Sequence, residues 1–432
     1  MRYALVFLAL FVPFTYFNHS EGWNQGVRLA ELHAVVLKHT LRIDDYISYT
    51  GDRALIDGHY YSEKAPVMAL AALPSFALTV WIQQASGIDP DSKAARRWSE
   101  WISTACSIGL IAALGGVAFF ALIDARLGAL TATIATFGVF LGSIAWPYAA
   151  TLFAHAGTIG LLAIALWGVL GAKRRDLIAG LAAGFAVSSE YPAILPGAVL
   201  GLYLATLDRR RMLRYGLATL PAAALILLNN YAISGSPFKL SYGSNPLFPG
   251  LTTRNYGFIA PDFNAVPSLL FSEYRGLLFW NPVFLMAIPG LFMLWKTDRR
   301  VMSLVAVSFA IVLVQVASFY TPFGGNAIGP RYLSPAIPVL AFASAYGIKR
   351  FPEMGLILAV ISIALMAMVI SIAVDPPDDV LTPLQSFYVV RIQAHRFADN
   401  LGTLLGLPRV VSMIVPITFP VLAAWRALRA PQ

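Results

Sequence analysis

Long apolar runs recur along the 432-residue chain and are separated by polar connections of very unequal length. A run of about 20 apolar residues can cross the hydrocarbon core of a bilayer as one helix. The pattern therefore predicts an all-α polytopic membrane protein with about 12 transmembrane helices. The predicted spans are residues 3–17, 99–123, 128–146, 149–171, 177–190, 193–206, 213–233, 278–296, 301–319, 334–348, 354–374 and 408–427.

A further apolar run, residues 66–86, is ambiguous, and the distribution of charge decides its interpretation. Short loops rich in Lys and Arg lie on the cytoplasmic side of a membrane. If this run does not cross, all the basic connections share the cytoplasmic side with both termini. We therefore expect it to form a juxtamembrane or re-entrant helix, broken near Pro66 and Pro74. The basic connections lie at positions 126, 173–175, 209–214, 296–300, 349–350 and 426–429.

With this topology, every long polar segment falls on the side opposite the cytoplasm. We expect a single transmembrane domain, residues 1–432, with a first outer loop at 18–98 that contains juxtamembrane helices. The two short runs at 177–190 and 193–206 predict a hairpin of partial helices bent at residues 188–192. Transporters often show internal repeats, which this sequence lacks, so we predict a reaction centre built on one face. The other outer segments are 234–277, 320–333 and 375–407.

The composition agrees with a membrane protein and excludes several other classes. Hydrophobic residues make up 58% of the chain and charged residues only 12%, against about 25% charged in soluble domains. A net charge of +9 would suggest nucleic acid for a soluble protein, but cytoplasmic loops and lipid headgroups explain it here. The single cysteine, Cys106, excludes an intramolecular disulfide. Residues 4–17 lack a small-x-small cleavage site and are expected to be an uncleaved anchor.

Residues 42–66 of the first outer loop carry the densest charge in the chain. A carboxylate cluster can supply a general base or hold a divalent cation, which prefers oxygen ligands. The alternative is a solvated loop with surface ion pairs. We prefer Asp44 and Asp45 as bases over Asp52, and Asp57 precedes Gly58 in a turn signal.

Three cations of the outer segments are suited to a phosphate group. Lys64 precedes an apolar helix, and snorkelling at the interface is its alternative role. Arg331 lies next to the end of the glycine-rich segment 324–332, where three glycines let the backbone approach a ligand closely. The alternative is a tight turn in which Arg331 and Tyr332 anchor the chain at the interface. Arg275 has a weaker case, since Glu273 could neutralise it.

His155 and Glu190 are polar residues next to apolar spans. An acid near the hydrocarbon suggests function, although Glu190 could instead cap the bent hairpin, and His155 could be a hydrogen-bonded packing residue. The sequence contains no metal-ligand spacing of His and Cys, no phosphate-binding loop, no dinucleotide fingerprint and no Ser-His-Asp signature. A soluble nucleotide cofactor is therefore not expected.

Several short motifs resemble those of the GT-C superfamily of integral-membrane glycosyltransferases. The branch with protein O-mannosyltransferases and lipid A aminoarabinose transferases has a Tyr-x-Glu-Lys-Pro-Pro-like segment that enters an apolar helix. The counterpart here is Tyr61-Ser62-Glu63-Lys64-Ala65-Pro66. The further motifs are Ile43-Asp44-Asp45-Tyr46, Gly58-His59-Tyr60-Tyr61-Ser62, Trp146-Pro147-Tyr148 with His155, Glu190-Tyr191-Pro192, Tyr274-Arg275-Gly276-Leu277 and Gly329-Pro330-Arg331-Tyr332.

The sequence departs from this branch where an acidic base is expected soon after the first helix. Residues 22–28 contain Asn24 and no Asp. The base is therefore expected to have moved to Asp44 or Asp45, or to be Glu31.

The resemblance implies a bacterial inner-membrane enzyme with its site on the periplasmic or external face. It would transfer a sugar, usually with inversion, from a polyprenyl-phosphate donor to a hydroxyl of a glycan, lipid or protein acceptor. Such an enzyme needs no nucleotide, and a divalent cation is the one cofactor left open. The alternatives are a transporter or flippase of lipid-linked saccharides, and an O-antigen polymerase or ligase. The resemblance assigns the base to Asp44, Asp45 or Asp52, the donor phosphate to Lys64, Arg331 and Arg275, and other substrate contacts to Tyr61, Glu63, His155, Glu190 and Tyr332.

Overall fold

Helices form most of the computed structural model, which describes residues 1–19, 22–253 and 255–429. Each of the twelve predicted spans contains a helix, since backbone groups in a membrane must be bonded within the segment or to protein. The predicted all-α polytopic fold is confirmed. The helices up to the middle of the chain are α1 (Arg2–Tyr16), α2 (Trp23–Lys38), α3 (Val67–Ala85), α4 (Lys93–Thr104), α5 (Leu110–Leu127), α6 (Ala129–Phe140), α7 (Ala145–Ala149), α8 (Ala154–Leu170), α9 (Asp176–Val187), α10 (Ile194–Ala205) and α11 (Arg209–Ser234).

The second half continues the bundle with short helices between the long ones. A 3₁₀ turn precedes α15 and another precedes α17, at Pro282–Met286 and Arg331–Ala336. The helices are α12 (Pro249–Thr253), α13 (Ala265–Phe271), α14 (Leu277–Trp280), α15 (Ala287–Thr297), α16 (Arg299–Ala317), α17 (Ile337–Arg350), α18 (Pro352–Ile372), α19 (Val390–Gln393), α20 (Leu401–Leu404), α21 (Arg409–Ser412) and α22 (Ile414–Arg429).

Among the described residues, five segments are long and apolar enough to cross a membrane by length and composition. The longest, Lys93–Leu127, joins α4 to α5 through a π-helical turn at Ala105–Gly109. One of the five is α3, so the expectation that residues 66–86 do not cross stays a prediction that rests on the charge distribution. The five are Val67–Ala85, Lys93–Leu127, Arg209–Ser234, Arg299–Ala317 and Pro352–Ile372.

The centre of the bundle is α8, which packs closely against α5. A Cβ at Gly115 would lie 2.3 Å from Gly160 Cα, so glycine at both positions permits the two backbones to touch. The predicted hairpin is also present, because α9 ends at Val187 and α10 begins at Ile194. Its bend contacts the start of α3, where the Val67 N–H donates to Ser188 O at 3.0 Å.

The first outer loop contains a structure that the sequence analysis did not predict, a β-hairpin. Strands β1 (Arg53–Ile56) and β2 (His59–Ser62) pair antiparallel, with Arg53 opposite Ser62. Asp57 and Gly58 both have positive φ, 50° and 81°, as a two-residue hairpin turn requires. Asp57 is therefore a turn residue, as its sequence position indicated.

The four long polar segments meet at one end of the bundle. Asn245 Nδ2 donates to Gly51 O at 3.0 Å, the Tyr274 hydroxyl donates to Asp378 O at 2.6 Å, and Ala327 N donates to Pro376 O at 3.3 Å. These contacts join segments 18–98, 234–277, 320–333 and 375–407. Their residues therefore build one shared polar surface.

Candidate functional site

A buried cluster of two acids and one lysine lies where the hairpin ends. Lys64 Nζ is 3.0 Å from Asp52 Oδ2 and 2.6 Å from Glu63 Oε1. The register explains the pairing: Asp52 precedes β1 and Glu63 follows β2, so antiparallel pairing of Arg53 with Ser62 brings them side by side. The Glu63 side chain is only 1% exposed, and an acid at that depth needs a cation.

The charges in this cluster depend on one another. Burial lowers the pKa of Lys64, but the carboxylates of Asp52 and Glu63 outweigh burial, and the net pKa is raised. Burial raises the pKa of Glu63, with Lys64 opposing that shift and Asp52 adding to it. Lys64 therefore stays charged and is already shared between two acids.

Two residues of segment 234–277, missed in the sequence analysis, complete the cluster. Asn245 Nδ2 donates to Glu63 Oε2 at 2.7 Å, and the Tyr242 ring lies 5.7 Å from Lys64 Nζ. Burial raises the pKa of Tyr242 well above its usual range, and Glu63 and Asp52 raise it further. Neither residue stands in a recognisable motif, and Asn245 is 182 positions from Glu63. No local sequence signal points to either residue.

Helix α2 adds a buried arginine where the resemblance leads one to expect an acid. Arg28 is 2% exposed and donates to Asn24 O at 2.9 Å and Leu152 O at 3.4 Å. Burial lowers its pKa, and four nearby carboxylates oppose this, those of Glu190, Glu31, Asp52 and Glu63. Asn24 therefore helps to hold a cation among the acids.

Glu31, one helical turn further along α2, has an unusual affinity for protons. Burial raises its pKa to about 7, while a hydrogen bond with Ser62 and the charge of Arg28 oppose the shift. A carboxyl group that titrates near pH 7 is suited to proton transfer.

Arg275 is fully buried and forms no ion pair with an acid among the described residues. Its Nη2 donates to Gly325 O at 3.3 Å, and its guanidinium lies 4.7 Å from the Tyr274 ring. Its Nε and Nη1 have no hydrogen-bond partner among the described residues. The idea that Glu273 neutralises it is wrong, because that carboxylate accepts the Leu384 N–H at 2.9 Å.

Arg331 lies next to Arg275 and is also incompletely bonded. Its guanidinium packs between the rings of Phe153 and Tyr332, at 5.4 and 5.2 Å, and its buried Nε has no partner among the described residues. Gly324, with φ +69°, makes room for it, since a Cβ there would lie 2.7 Å from Arg331 Nε. This glycine thus admits a guanidinium, whereas the sequence had suggested that the glycines admit a ligand.

The two arginines act on each other and on the lysine cluster. Burial lowers the pKa of Arg275, and the positive charge of Arg331 adds to that shift. The carboxylate of Asp52 is close enough to help raise the pKa of Arg331. No carboxylate of the described chain lies within 4 Å of either guanidinium. Within the described part of the chain the buried Arg275 and the half-buried Arg331 form no ion pair with an acid, and two such neighbouring cations are suited to bind an anion.

His155 and Glu190 form a third group at the inner edge of this surface. His155 Nδ1 contacts Glu190 Oε1 and lies 3.2 Å from Ser334 Oγ. Ser334 Oγ also donates to Glu190 Oε2 at 3.1 Å. Glu190 makes no side-chain cap of the turn Tyr191–Ala193, so the capping alternative is wrong. The three side chains connect α8 to the bend at residues 188–192 and to the 3₁₀ turn Arg331–Ala336.

The structure places Asp44 and Asp45 away from the lysine. Asp44 accepts the Tyr60 N–H at 2.7 Å and lies 2.9 Å from His59 Nδ1, at the turn end of the hairpin. Tyr60 and Lys64 are four residues apart in nearly extended chain, which separates their Cα atoms by about 13 Å. Asp45 is 68% exposed and 3.7 Å from Lys38. Of the three proposed bases, only Asp52 joins the cluster.

Two of the remaining predicted contacts differ in their surroundings. Tyr61 packs in a small apolar cluster with Ala54, Ile56 and Ile233, so its ring supports the hairpin. Tyr332 neighbours Arg331 and its hydroxyl contributes to the high pKa of that guanidinium.

Within the described ranges, no group of three or more His, Cys, Asp or Glu side chains is arranged to hold a metal ion.

Comparison with known proteins gives matches at the level of structure only. No family model and no curated protein sequence matches the chain. A crystal structure of ArnT from Cupriavidus metallidurans bound to undecaprenyl phosphate matches 99% of this chain and 76% of its own, with a TM-score of 0.54 and 18% identity. The apo structure of ArnT matches 98% of this chain and 74% of its own, with a TM-score of 0.51 and 19% identity. The chain therefore has the fold of ArnT.

Proposed function

We propose that the chain is a GT-C glycosyltransferase that moves a sugar from a polyprenyl-phosphate donor to an acceptor hydroxyl. The observation that carries this proposal is the pair of guanidinium groups of the buried Arg275 and the half-buried Arg331, which lie near an acid cluster and each keep a buried N–H without a partner among the described residues. Buried cations with unpaired N–H groups are costly unless they bind an anion in the working state. A departing phosphate is such an anion.

The donor phosphate is assigned first to Arg275 and Arg331. Unpaired N–H groups remain on both side chains, and a guanidinium can bind phosphate through two parallel hydrogen bonds. Lys64 is bound to Asp52 and Glu63, so its contribution to the phosphate is secondary to its role in holding these acids. The lipid bound in one ArnT structure, undecaprenyl phosphate, supports a donor of the same chemical class.

Asp52 is assigned as the general base. Its carboxylate is held by Lys64 at 3.0 Å, and its charge helps to raise the pKa of Arg331, so the proposed base acts electrostatically on the anion site. Glu31 is the alternative base, because a carboxyl group with a pKa of about 7 can take up and release a proton near neutral pH. The preference for Asp44 as the base, which the sequence suggested, has no geometric support beside these two acids.

The reaction divides the polar surface into two functions. Asp52 takes the proton of the acceptor hydroxyl, and the resulting oxygen attacks the anomeric carbon of the sugar. The bond between that carbon and the phosphate oxygen breaks, and its electron pair remains on the phosphate as polyprenyl phosphate. Arg275 and Arg331 stabilise the charge that develops there. Attack opposite the leaving group gives inversion.

The site is assigned to the external face of the bacterial inner membrane. The polar segments meet at one end of the bundle, whereas basic connections lie at the other, where Arg126 Nη2 donates to Leu170 O at 2.6 Å. Basic connections favour the cytoplasm, which supports an external site. The acceptor would then be a cell-envelope glycan, lipid or protein.

Release of polyprenyl phosphate tests this proposal against a flippase. Purified protein is mixed with polyprenyl-phosphate sugars extracted from the host membrane and a delipidated cell-envelope fraction. Glycosyl transfer predicts polyprenyl phosphate that accumulates only when the envelope fraction is present. A flippase would move the lipid between the leaflets of a vesicle and leave the bond between sugar and phosphate intact. Intact donor together with such movement would overturn the proposal.

A further inference from the structure

A basic cavity lies at the end of the bundle opposite the proposed active site. It has a volume of about 320 Å³ and lies where α9 begins, against the first part of α11. The side chains that line it are Arg174, Arg175, Asp176, Leu177, Ile178 and Arg214. None of them has a part in the proposed reaction.

The charge of this cavity is strongly positive because its one acid is already neutralised. Asp176 is bound by Arg211, with Nη2 to Oδ1 at 2.8 Å and Nε to Oδ2 at 3.2 Å. Arg175 stacks on Trp167 at 4.0 Å. Arg174 and Arg214 are exposed and form no ion pair within the described part of the chain. Two guanidinium groups are therefore left for an anion.

The wall of the cavity continues into an apolar surface. Leu177 is 60% exposed and Ile178 48% exposed, and on α11 Leu213 and Leu217 are 51% and 63% exposed. In a membrane-spanning bundle, such side chains face acyl chains. A small soluble anion would not contact these apolar side chains. A phospholipid would contact them with its acyl chains and the arginines with its phosphate.

We propose that this cavity binds the phosphate diester of an anionic phospholipid, with the acyl chains lying along α9 and α11. Basic pockets between helices at the cytoplasmic surface are suited to such headgroups. Arg174 and Arg214 bind the phosphate, and Leu177 and Ile178 contact the upper part of the acyl chains. The site would anchor the α9–α10 hairpin, whose bend carries Glu190 near the active site.

Native mass spectrometry of the full-length protein in detergent tests the site. The probes are dioleoyl phosphatidylglycerol and dioleoyl phosphatidylcholine, which have the same acyl chains and differ in headgroup charge. We expect tighter binding of phosphatidylglycerol to the wild type. An Arg174→Ala, Arg214→Ala variant should bind it roughly a hundredfold more weakly, since it loses two charge-assisted hydrogen bonds that each contribute a factor of about ten.

The matched control is a Lys349→Ala, Arg350→Ala variant, which removes two charges from another basic connection at the same end. It should bind phosphatidylglycerol like the wild type. Equal losses in both variants would mean general charge attraction and would overturn the proposal. So would unchanged binding in the Arg174→Ala, Arg214→Ala variant. Displacement of the lipid by millimolar glycerol phosphate would instead identify a site for soluble anions, and would also overturn it.

Discussion

Replacing Arg275 by methionine should make the protein more stable and at the same time deprive it of donor binding. The side chain is fully buried, and Nε and Nη1 have no partner among the described residues. Each unsatisfied buried donor costs about 1–3 kcal/mol. The hydrogen bond to Gly325 O and the contact with the Tyr274 ring together return about 2 kcal/mol. Methionine has a similar volume and no charge, so Arg275→Met should raise stability by about 0–4 kcal/mol.

Donor binding should change in the opposite direction. Two lost hydrogen bonds from a charged group to phosphate are each worth about 1.5–3 kcal/mol, which corresponds to roughly 10²–10⁴ in affinity. The assay is thermal unfolding in detergent with and without undecaprenyl phosphate. Ligand should raise the midpoint of the wild type but not that of Arg275→Met. The control is Arg429→Met, an arginine that stacks on Trp425 at 4.0 Å at the end of α22 among the basic connections, and it should keep the ligand-induced shift. A variant at Arg275 that unfolds at a lower temperature and still responds to ligand would refute the reasoning.

Three further substitutions test separate parts of the site. The pKa of Glu31 rises on folding from its ordinary value of 4.5 to about 7. Ionisation of the buried carboxyl therefore lowers the free energy of unfolding: the loss is absent below pH 4.5, grows between these pH values and reaches about 3 kcal/mol above pH 7. Glu31→Gln should therefore raise the unfolding midpoint at pH 8.5 and leave it unchanged at pH 4, and a pH-independent effect would contradict the assigned shift. Gly324→Ala places a Cβ 2.7 Å from Arg331 Nε, whereas Gly325→Ala places one 4.0 Å from its Nη2; we expect the first to weaken donor binding at least about tenfold and the second to bind normally. Asp44→Asn weakens the bonds to Tyr60 N and His59, so the unfolding midpoint should fall by the equivalent of about 1 kcal/mol while the transfer rate stays that of the wild type, and a large loss of rate would return Asp44 to the reaction.

The helical framework could be predicted because its signal is local. Apolar length alone located each predicted span, and the polar bend at 188–192 separated α9 from α10. The hairpin escaped prediction because β1 and β2 have four residues each and lie within a highly charged loop, where alternation of apolar residues is weak. Asp57 and Gly58 marked its turn, but a turn alone does not identify its flanking strands.

The site was predicted in part, and the errors have a common cause. Asp52, Glu63 and Lys64 lie close together in the chain, so the sequence already grouped them. The order of preference among the acids depended on the hairpin register, which places Asp44 at the turn end and Asp52 beside Lys64. Asn245 reaches Glu63 across 182 positions, and no pattern in a single sequence reveals such a contact.

The importance of Arg275 was underestimated for a related reason. Glu273 is only two positions away, and proximity along the chain suggested an ion pair. In the structure that carboxylate binds the backbone of segment 375–407, and no ion pair joins it to the guanidinium. Sequence separation is thus a poor guide to charge pairing in a loop whose partners come from other segments.

The most direct test of the central claim compares the transfer rates of Asp52→Asn and Asp57→Asn, measured as polyprenyl phosphate released in the presence of the cell-envelope fraction. Both substitutions remove one carboxylate from the same hairpin, and Lys64 keeps its 2.6 Å contact with Glu63 in each. General-base catalysis predicts a loss of about 10²–10⁴ for Asp52→Asn and a normal rate for Asp57→Asn, with unfolding midpoints close to that of the wild type. Equal rates in the two variants would contradict the account.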